Sequence, residues 1–158
     1  MKSKKTKFIS TNAKATARIA SAFAKTLKGG DVVGLIGDLG TGKTTFVQAL
    51  AKVLGIRERV TSPTFVYMHV HPVRGQRSDV RTLVHVDAYR GDAETLRGIG
   101  LEDYLGAPGT VTVIEWADRA KELLPKKTIR VRFRHAGGDT RIISILSPFR
   151  GDARRAEG

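Results

Sequence analysis

With 158 residues, 28 lysines and arginines against 15 aspartates and glutamates, and no cysteine, the chain is long enough for one domain with its own core. The missing cysteines exclude disulfide frameworks, thiolate metal sites and cysteine nucleophiles, and no apolar run approaches the length of a membrane span. The formal charge of +13 points to polyanionic company, either RNA or an acidic protein.

The basic start, MKSKKTKFIS, is followed by no apolar h-region, so a cytoplasmic protein rather than a secreted one is expected. Residues 1–7 read as a basic N-terminal arm, 151–158 as a flexible tail, and 1–150 as a single domain. A short strand is predicted over 8–10. Thr11 or Asn12 then caps a helix whose stripe is Ala15, Ile19, Phe23 and Leu27, ended by Gly29-Gly30-Asp31. Residues 32–36 are an apolar run of the kind a strand buried on both faces requires. A second helix carries Phe46, Val47, Leu50, Val53 and Leu54 up to Gly55.

Further on, 64–70 reads as a strand, 71–80 as an arginine-bearing loop, and 83–86 as a strand ending at Asp87. Two small helical pieces over 92–96 and 101–105 precede a buried strand at 111–114. A helix near 118–124 is closed by Pro125, and 129–133 with 140–146 form a hairpin around Ala136-Gly137-Gly138-Asp139. Strand–helix alternation followed by hairpins predicts an α/β fold: a mixed, mainly parallel sheet flanked by helices, with antiparallel strands toward the C-terminus.

The basic residues cluster at Lys2, Lys4, Lys5 and Lys7, at Arg74, Arg77 and Arg81, at Arg130, Arg132 and Arg134, and in the tail. Charge alone is not a recognition code, and neither an RNP-type aromatic motif nor a recognition helix accompanies it.

The segment Gly37-Asp38-Leu39-Gly40-Thr41-Gly42-Lys43-Thr44 matches G-x-x-x-x-G-K-[ST], between a predicted strand and a predicted helix. Glycines let successive backbone N–H groups turn inward on a phosphate, and the helix start adds its positive end. Lys43 suits the β- and γ-phosphates, the Thr44 hydroxyl suits Mg²⁺, and Thr45 can reach the α-phosphate. A second carboxylate is needed at a neighbouring strand end, and two are available, Asp87 and Glu115. Trp116, the only tryptophan, is expected close to the nucleotide. His85 is expected to be structural, and the His69-x-His71 pair lacks neighbours that would make a zinc site. The only asparagine, Asn12, precedes the loop, so the N-K-x-D element of guanine readers is absent. A small-molecule kinase with a lid from Arg74, Arg77 and Arg81 stays open, as does a nucleotide-gated RNA-binding module.

Taken in order, the P-loop with Thr45-Phe46, Thr61-Ser62-Pro63-Thr64-Phe65, His85-Val86-Asp87-Ala88-Tyr89-Arg90, Gly100-Leu101-Glu102-Asp103-Tyr104 and Val113-Ile114-Glu115-Trp116 resemble the TsaE (YjeE) family over roughly residues 11–146. That resemblance implies a bacterial ATPase required for threonylcarbamoyladenosine formation at position 37 of tRNAs reading codons that begin with adenine. It implies ATP and Mg²⁺ as cofactors, TsaB and TsaD as partners with TsaD as the transferase, and tRNA met directly or through that complex. It further implies catalytic roles for Lys43, Asp87 and Glu115, with Thr44 and Glu115 on the metal and Asp87 placing water. Asp38, Leu39, Gly40, Thr41, Gly42, Lys43, Thr44 and Thr45 would hold the phosphates. Ala13 and Gly137 would flank the adenine, and residues 62–64 would act as a switch sensing the γ-phosphate through Thr64. Arg90 and Arg119 are the candidates for an internal arginine finger. Gly91 departs from the leucine usual in the family, a change expected to loosen that loop without touching the chemistry.

Overall fold

The structure, a computed structural model, describes residues 3–38, 40–74 and 79–148. The runs without a polar face take the middle of the sheet, because parallel strands there are covered on both sides. β2 (Val32–Ile36), β4 (Thr82–Asp87) and β5 (Thr110–Glu115) occupy it. β1 (Ser3–Ser10), β3 (Met68–Pro72), β6 (Ile129–His135) and β7 (Arg141–Pro148) complete seven strands in the order β1-β7-β6-β2-β5-β4-β3. The central pairings β6–β2, β2–β5 and β5–β4 are parallel, and the outer ones, β1–β7, β7–β6 and β4–β3, are antiparallel. The α/β class and the mixed sheet are as expected, with parallel character confined to the centre.

Two helices, α1 (Ala13–Ala24) and α2 (Lys43–Leu54), cover one face. Phe23, Leu27, Phe46, Leu50 and Leu54 pack there with Val33, Leu35, Val113, Val131 and Phe133. On the opposite face Val84, Val86 and Ile114 meet Leu96 of α3 (Ala93–Gly98), Leu101, and Ala117, Ala120 and Leu123. The last three belong to a short 3-10 stretch, Ala117–Leu123, broken at Ala120 where φ is −133°. It stands where a helix was expected near 118–124 and takes the tighter 3-10 form. Asn12 rather than Thr11 caps α1, its side-chain oxygen accepting from the Ala15 amide at 2.8 Å. The helix stops at Ala24, short of the glycines, because the Thr26 amide and hydroxyl both take the Phe23 carbonyl. Gly55 ends α2 in the left-handed region, as its sequence position suggests.

Three further expectations are corrected. The strand predicted over 64–70 begins only at Met68. Residues 64–67 form a turn in which the Tyr67 amide reaches the Pro63 carbonyl at 2.7 Å and Tyr67 adopts φ 68°. The same strand runs on through His71 and Pro72, expected as loop. Within the expected basic arm, Ser3–Lys7 belong instead to β1, which is hydrogen-bonded along β7 from Ser3 opposite Pro148 to Ser10 opposite Arg141. Leu39, Arg77 and the tail 151–158 lie outside the described residues.

Candidate active site

Parallel register brings the carboxyl ends of β2, β4 and β5 to one edge: Leu35 lies opposite Glu115, and Glu115 opposite Asp87. Ligands bind beyond such ends in open α/β sheets. The chain leaves β2 through the glycine-rich segment and enters α2 at Lys43. Gly42 caps α2 at φ 100° with no side-chain bond to the first turn, so that turn's amides are available to an anion. A Cβ on Gly37 would lie 2.8 Å from the Phe133 carbonyl oxygen and 3.0 Å from the Thr41 hydroxyl, so β6 fixes how the segment starts. The Thr41 hydroxyl donates to the Asp38 carbonyl at 2.6 Å and closes the loop on itself.

Lys43 is only 5% exposed. Its ammonium donates to the Gly37 carbonyl and, at 2.9 Å, to the Asp38 carbonyl. It also sits 4.0 Å from the centre of the Trp116 ring. An ammonium has three donors, so two loop carbonyls leave one for a phosphate oxygen. Burial lowers the Lys43 pKa below the usual lysine range, against the opposing pull of Glu115, Asp38, Asp118 and Asp87.

The two acids are held differently. Asp87 Oδ2 accepts from the Ser62 hydroxyl at 2.7 Å and the Thr64 hydroxyl at 2.9 Å, while Oδ1 accepts from the Tyr89 amide at 2.8 Å. The 62–64 segment is therefore tethered to the acid. Glu115 Oε2 lies 2.6 Å from His85 Nε2, and His85 is fully buried. That bond ties Glu115 on β5 to His85 on the neighbouring β4. His85 is structural in a specific sense: it fixes the orientation of Glu115.

Around these groups lies a cavity of about 510 Å³ lined by Ala13, Gly40, Gly42, Lys43, Thr44, Thr45, Asp87 and Glu115, with Thr16, Ser62, Thr64, Tyr89, Trp116 and Arg141. Thr41 is buried beneath the loop, and Asp38 faces a neighbouring groove. Gly137 is outside the lining. The hairpin supplies Arg141 instead, whose guanidinium donates to the Gly40 carbonyl at 2.8 Å and the Asp139 carbonyl at 3.2 Å. Leu39 lies outside the described residues. Arg141 and Thr16 escaped the sequence reading, and Tyr89 figured there only as part of the 85–90 block. The arginine is 101 positions from its partner, and nothing local marks it.

Trp116 has φ 59°, an uncommon conformation for a large side chain, and it turns the ring toward Lys43. Tyr89 packs against it with ring centres 4.8 Å apart. Arg119 covers both rings and donates to the Tyr89 carbonyl at 2.9 Å; Arg90 lies over Phe65. Neither arginine lines the cavity. Arg81, considered for a kinase lid, immediately precedes β4 at the opposite strand end, and its carbonyl bonds the Val73 amide beside Arg74. A Cβ on Gly91 would come within 3.1 Å of the Tyr67 ring, so the glycine leaves room for the residue that closes the 64–67 turn. His71 pairs with Glu58 at 2.9 Å, and among the described residues no group of three or more histidines or acids is placed to hold a metal. Thr44 and Glu115 together offer a hydroxyl and a carboxylate, hard oxygen donors of the sort Mg²⁺ takes along with substrate phosphates. The residues fit both a triphosphate and its metal.

Comparison with known proteins bears on the family and the fold. Residues 10–143 match the family model described as threonylcarbamoyl adenosine biosynthesis protein TsaE. Among curated relatives, the tRNA threonylcarbamoyladenosine biosynthesis protein TsaE of Streptomyces coelicolor is 44% identical over 119 residues, covering 74% of this chain and 77% of that one. Its Bacillus subtilis counterpart is 39% identical over 134 residues, covering 85% and 78%. The crystal structure of Bacillus subtilis YdiB superposes with a TM-score of 0.77 at 30% identity, over 100% of this chain and 99% of that one.

Proposed function

The chain belongs to the TsaE family of threonylcarbamoyl adenosine biosynthesis proteins, and we propose that it serves tRNA modification as a magnesium-dependent ATPase rather than as the transferase. The observation that carries this reading is the single cavity holding Lys43, Thr44, Asp87 and Glu115 at the ends of adjoining parallel strands.

The backbone of residues 40–45 and the start of α2 would grip the phosphates, with Lys43 adding its remaining donor to the β/γ oxygens. Thr44 and Glu115 would hold Mg²⁺, which would supply positive charge to neutralise the phosphates. Asp87 accepts a proton from water and aims the oxygen in line at the γ-phosphorus. Ser62 and Thr64 share one oxygen of that acid, so a γ-phosphate recruiting Thr64 also changes how Asp87 is held. Such coupling suits a switch segment whose ordering by a partner accelerates hydrolysis. The partners are TsaB and TsaD, and TsaD carries out transfer to N6 of adenosine 37. Adenine rests between Ala13 and the hairpin side of the cavity, where Arg141 stands.

Reconstitution tests the reading. With TsaB, TsaD and tRNA, modified adenosine 37 should accumulate over many turnovers only when this chain and ATP are present, with free phosphate released. Phosphate passing to a small-molecule acceptor, or equal modification with and without the chain, would sink it.

A further inference from the structure

β1, β7 and β6 together contain Lys4, Lys5, Lys7, Arg130, Arg132, Arg134 and Arg141, and no aspartate or glutamate. Strand alternation sorts them by face. Val131, Phe133, Ile143 and Ile145 point into the core under α1 and α2, which sends their neighbours to the other side. Register then lines those neighbours up. Lys5 lies opposite Leu146, itself opposite Arg130; Lys7 opposite Ser144 and Arg132; Ile9 opposite Ile142 and Arg134.

Two cationic rails result, one on β1 and one on β6, separated by β7. Strand geometry puts the rails about 10 Å apart and successive charges within a rail about 7 Å apart. Lys5, Lys7, Arg132 and Arg134 line a common groove floored in part by Ile142 and Ser144. Its inner end is Gly37 and Asp38, the start of the phosphate loop. Lys5, Lys7, Arg132 and Arg134 are exposed. The elements of the second layer, α3 and the 3-10 stretch Ala117–Leu123, pack on Val84, Val86 and Ile114 instead. Among the described residues, none of the five rail cations is in an ion pair.

We propose that this open sheet face binds the phosphodiester backbone of RNA, so that the protein meets tRNA directly. The identity of the RNA rests on the tRNA-modification reading above; the polyanion specificity rests on the rails alone. Regularly spaced cations with no interspersed acids match a polymer carrying one charge per repeat. An acidic protein surface brings its own lysines and arginines, and among the described residues the groove offers them a single acid, Asp38 at its inner end. Three of the five cations are arginines, whose planar fork engages phosphate oxygens in pairs. The outward side chains include no aromatic on which a base could stack, so binding here is backbone-directed, indifferent to sequence and steep in salt.

The test is binding of an unmodified tRNA transcript to the full chain across a potassium chloride series, without nucleotide or partner proteins. Failure here therefore leaves the hydrolysis assay untouched, and failure there leaves this one. Wild type should bind with a steep negative slope of log affinity against log salt. The variant K5Q/K7Q/R132Q/R134Q should bind at least tenfold more weakly, with a slope shallower by about 3, for four lost phosphate contacts. A charge-matched control, K52Q/R57Q/R59Q/R74Q, changes exposed residues elsewhere and should keep the wild-type slope. If the fourfold variant misfolds by circular dichroism, R132Q/R134Q should give about half the change in slope. Equal losses in variant and control, or a wild type that ignores tRNA at the lowest salt, would overturn the proposal. Binding of polyglutamate without binding of tRNA would also overturn it and give the face to an acidic protein.

Discussion

β4 and β5 are buried along nearly their whole length on both faces, whereas β6 and β7 alternate between the core and an open side and β1 is exposed up to its last residue, Ser10. The first pair carries its charged chemistry only at its last residues, Asp87 and Glu115, each held by hydrogen bonds from Ser62, Thr64, Tyr89 or His85. On the open side β1 and β6 carry Lys5, Lys7, Arg130, Arg132 and Arg134 at alternate positions, and among the described residues none of the five is in an ion pair. Desolvation explains the contrast. A carboxylate inside a covered sheet is tolerable only where donors replace water, while a cation on an open face keeps its hydration. One sheet thus carries an enclosed cavity whose acids are met by donors and an open face lined by cations.

If the two halves act separately, their variants should dissociate. Lys43→Ala removes the charge on the β/γ-phosphates and should cut phosphate release by about 10²–10³-fold while tRNA affinity stays at the wild-type value. The rail variant should do the converse. Loss of both properties in Lys43→Ala, measured by phosphate release and filter binding, would show that the halves are not independent.

Within the acidic half a finer division is expected. Glu115→Gln should weaken the Mg²⁺ dependence of nucleotide binding by about tenfold or more. Asp87→Asn should lower turnover while leaving nucleotide affinity nearly intact, because that side chain serves water and the Ser62–Thr64 tether. Nucleotide titrations at several Mg²⁺ concentrations distinguish the two. An unchanged Mg²⁺ dependence in Glu115→Gln would return the metal to Asp87.

The legible parts of this molecule are those whose cause is local. Val32–Ile36, the glycine-lysine loop and α2 follow one another in sequence, and each is recognisable from its own residues. Asp87 and Glu115 were visible as acids at the ends of apolar runs. What the sequence hid depends on distant pairing. Ser3–Lys7 have no apolar alternation to mark a strand; β7 recruits them. Residues 64–67 have strand-forming side chains, yet the Pro63 carbonyl captures the Tyr67 amide and turns them. His85 reads from sequence only as structural; its bond to Glu115 crosses to a neighbouring strand. Gly137 was the hairpin residue expected at the nucleotide; the hairpin residue lining the cavity is Arg141, which reaches Gly40 from 101 positions away.

The smallest expected effect concerns the stability cost of the enclosed half. Burial lowers the pKa of Lys43 in the folded state, so over the interval from that lowered value up to the ordinary lysine pKa the unfolded chain binds more protons than the folded one. Stability then rises with pH across that interval, since the slope follows the excess of protons on the unfolded state. Below it both states are charged, and the folded one carries the full desolvation cost. Lys43→Met keeps the aliphatic stem and removes the charge, so the variant should lose the rise seen in wild type. At neutral pH it should be at least as stable as wild type despite being inactive, the pattern of a residue retained for chemistry rather than for folding. Urea midpoints for both proteins at neutral and mildly alkaline pH provide the check. A variant clearly less stable than wild type at neutral pH would mean that the bonds from Lys43 to the Gly37 and Asp38 carbonyls outweigh its desolvation. In that case the phosphate loop would depend on its lysine for its shape as well as for its charge.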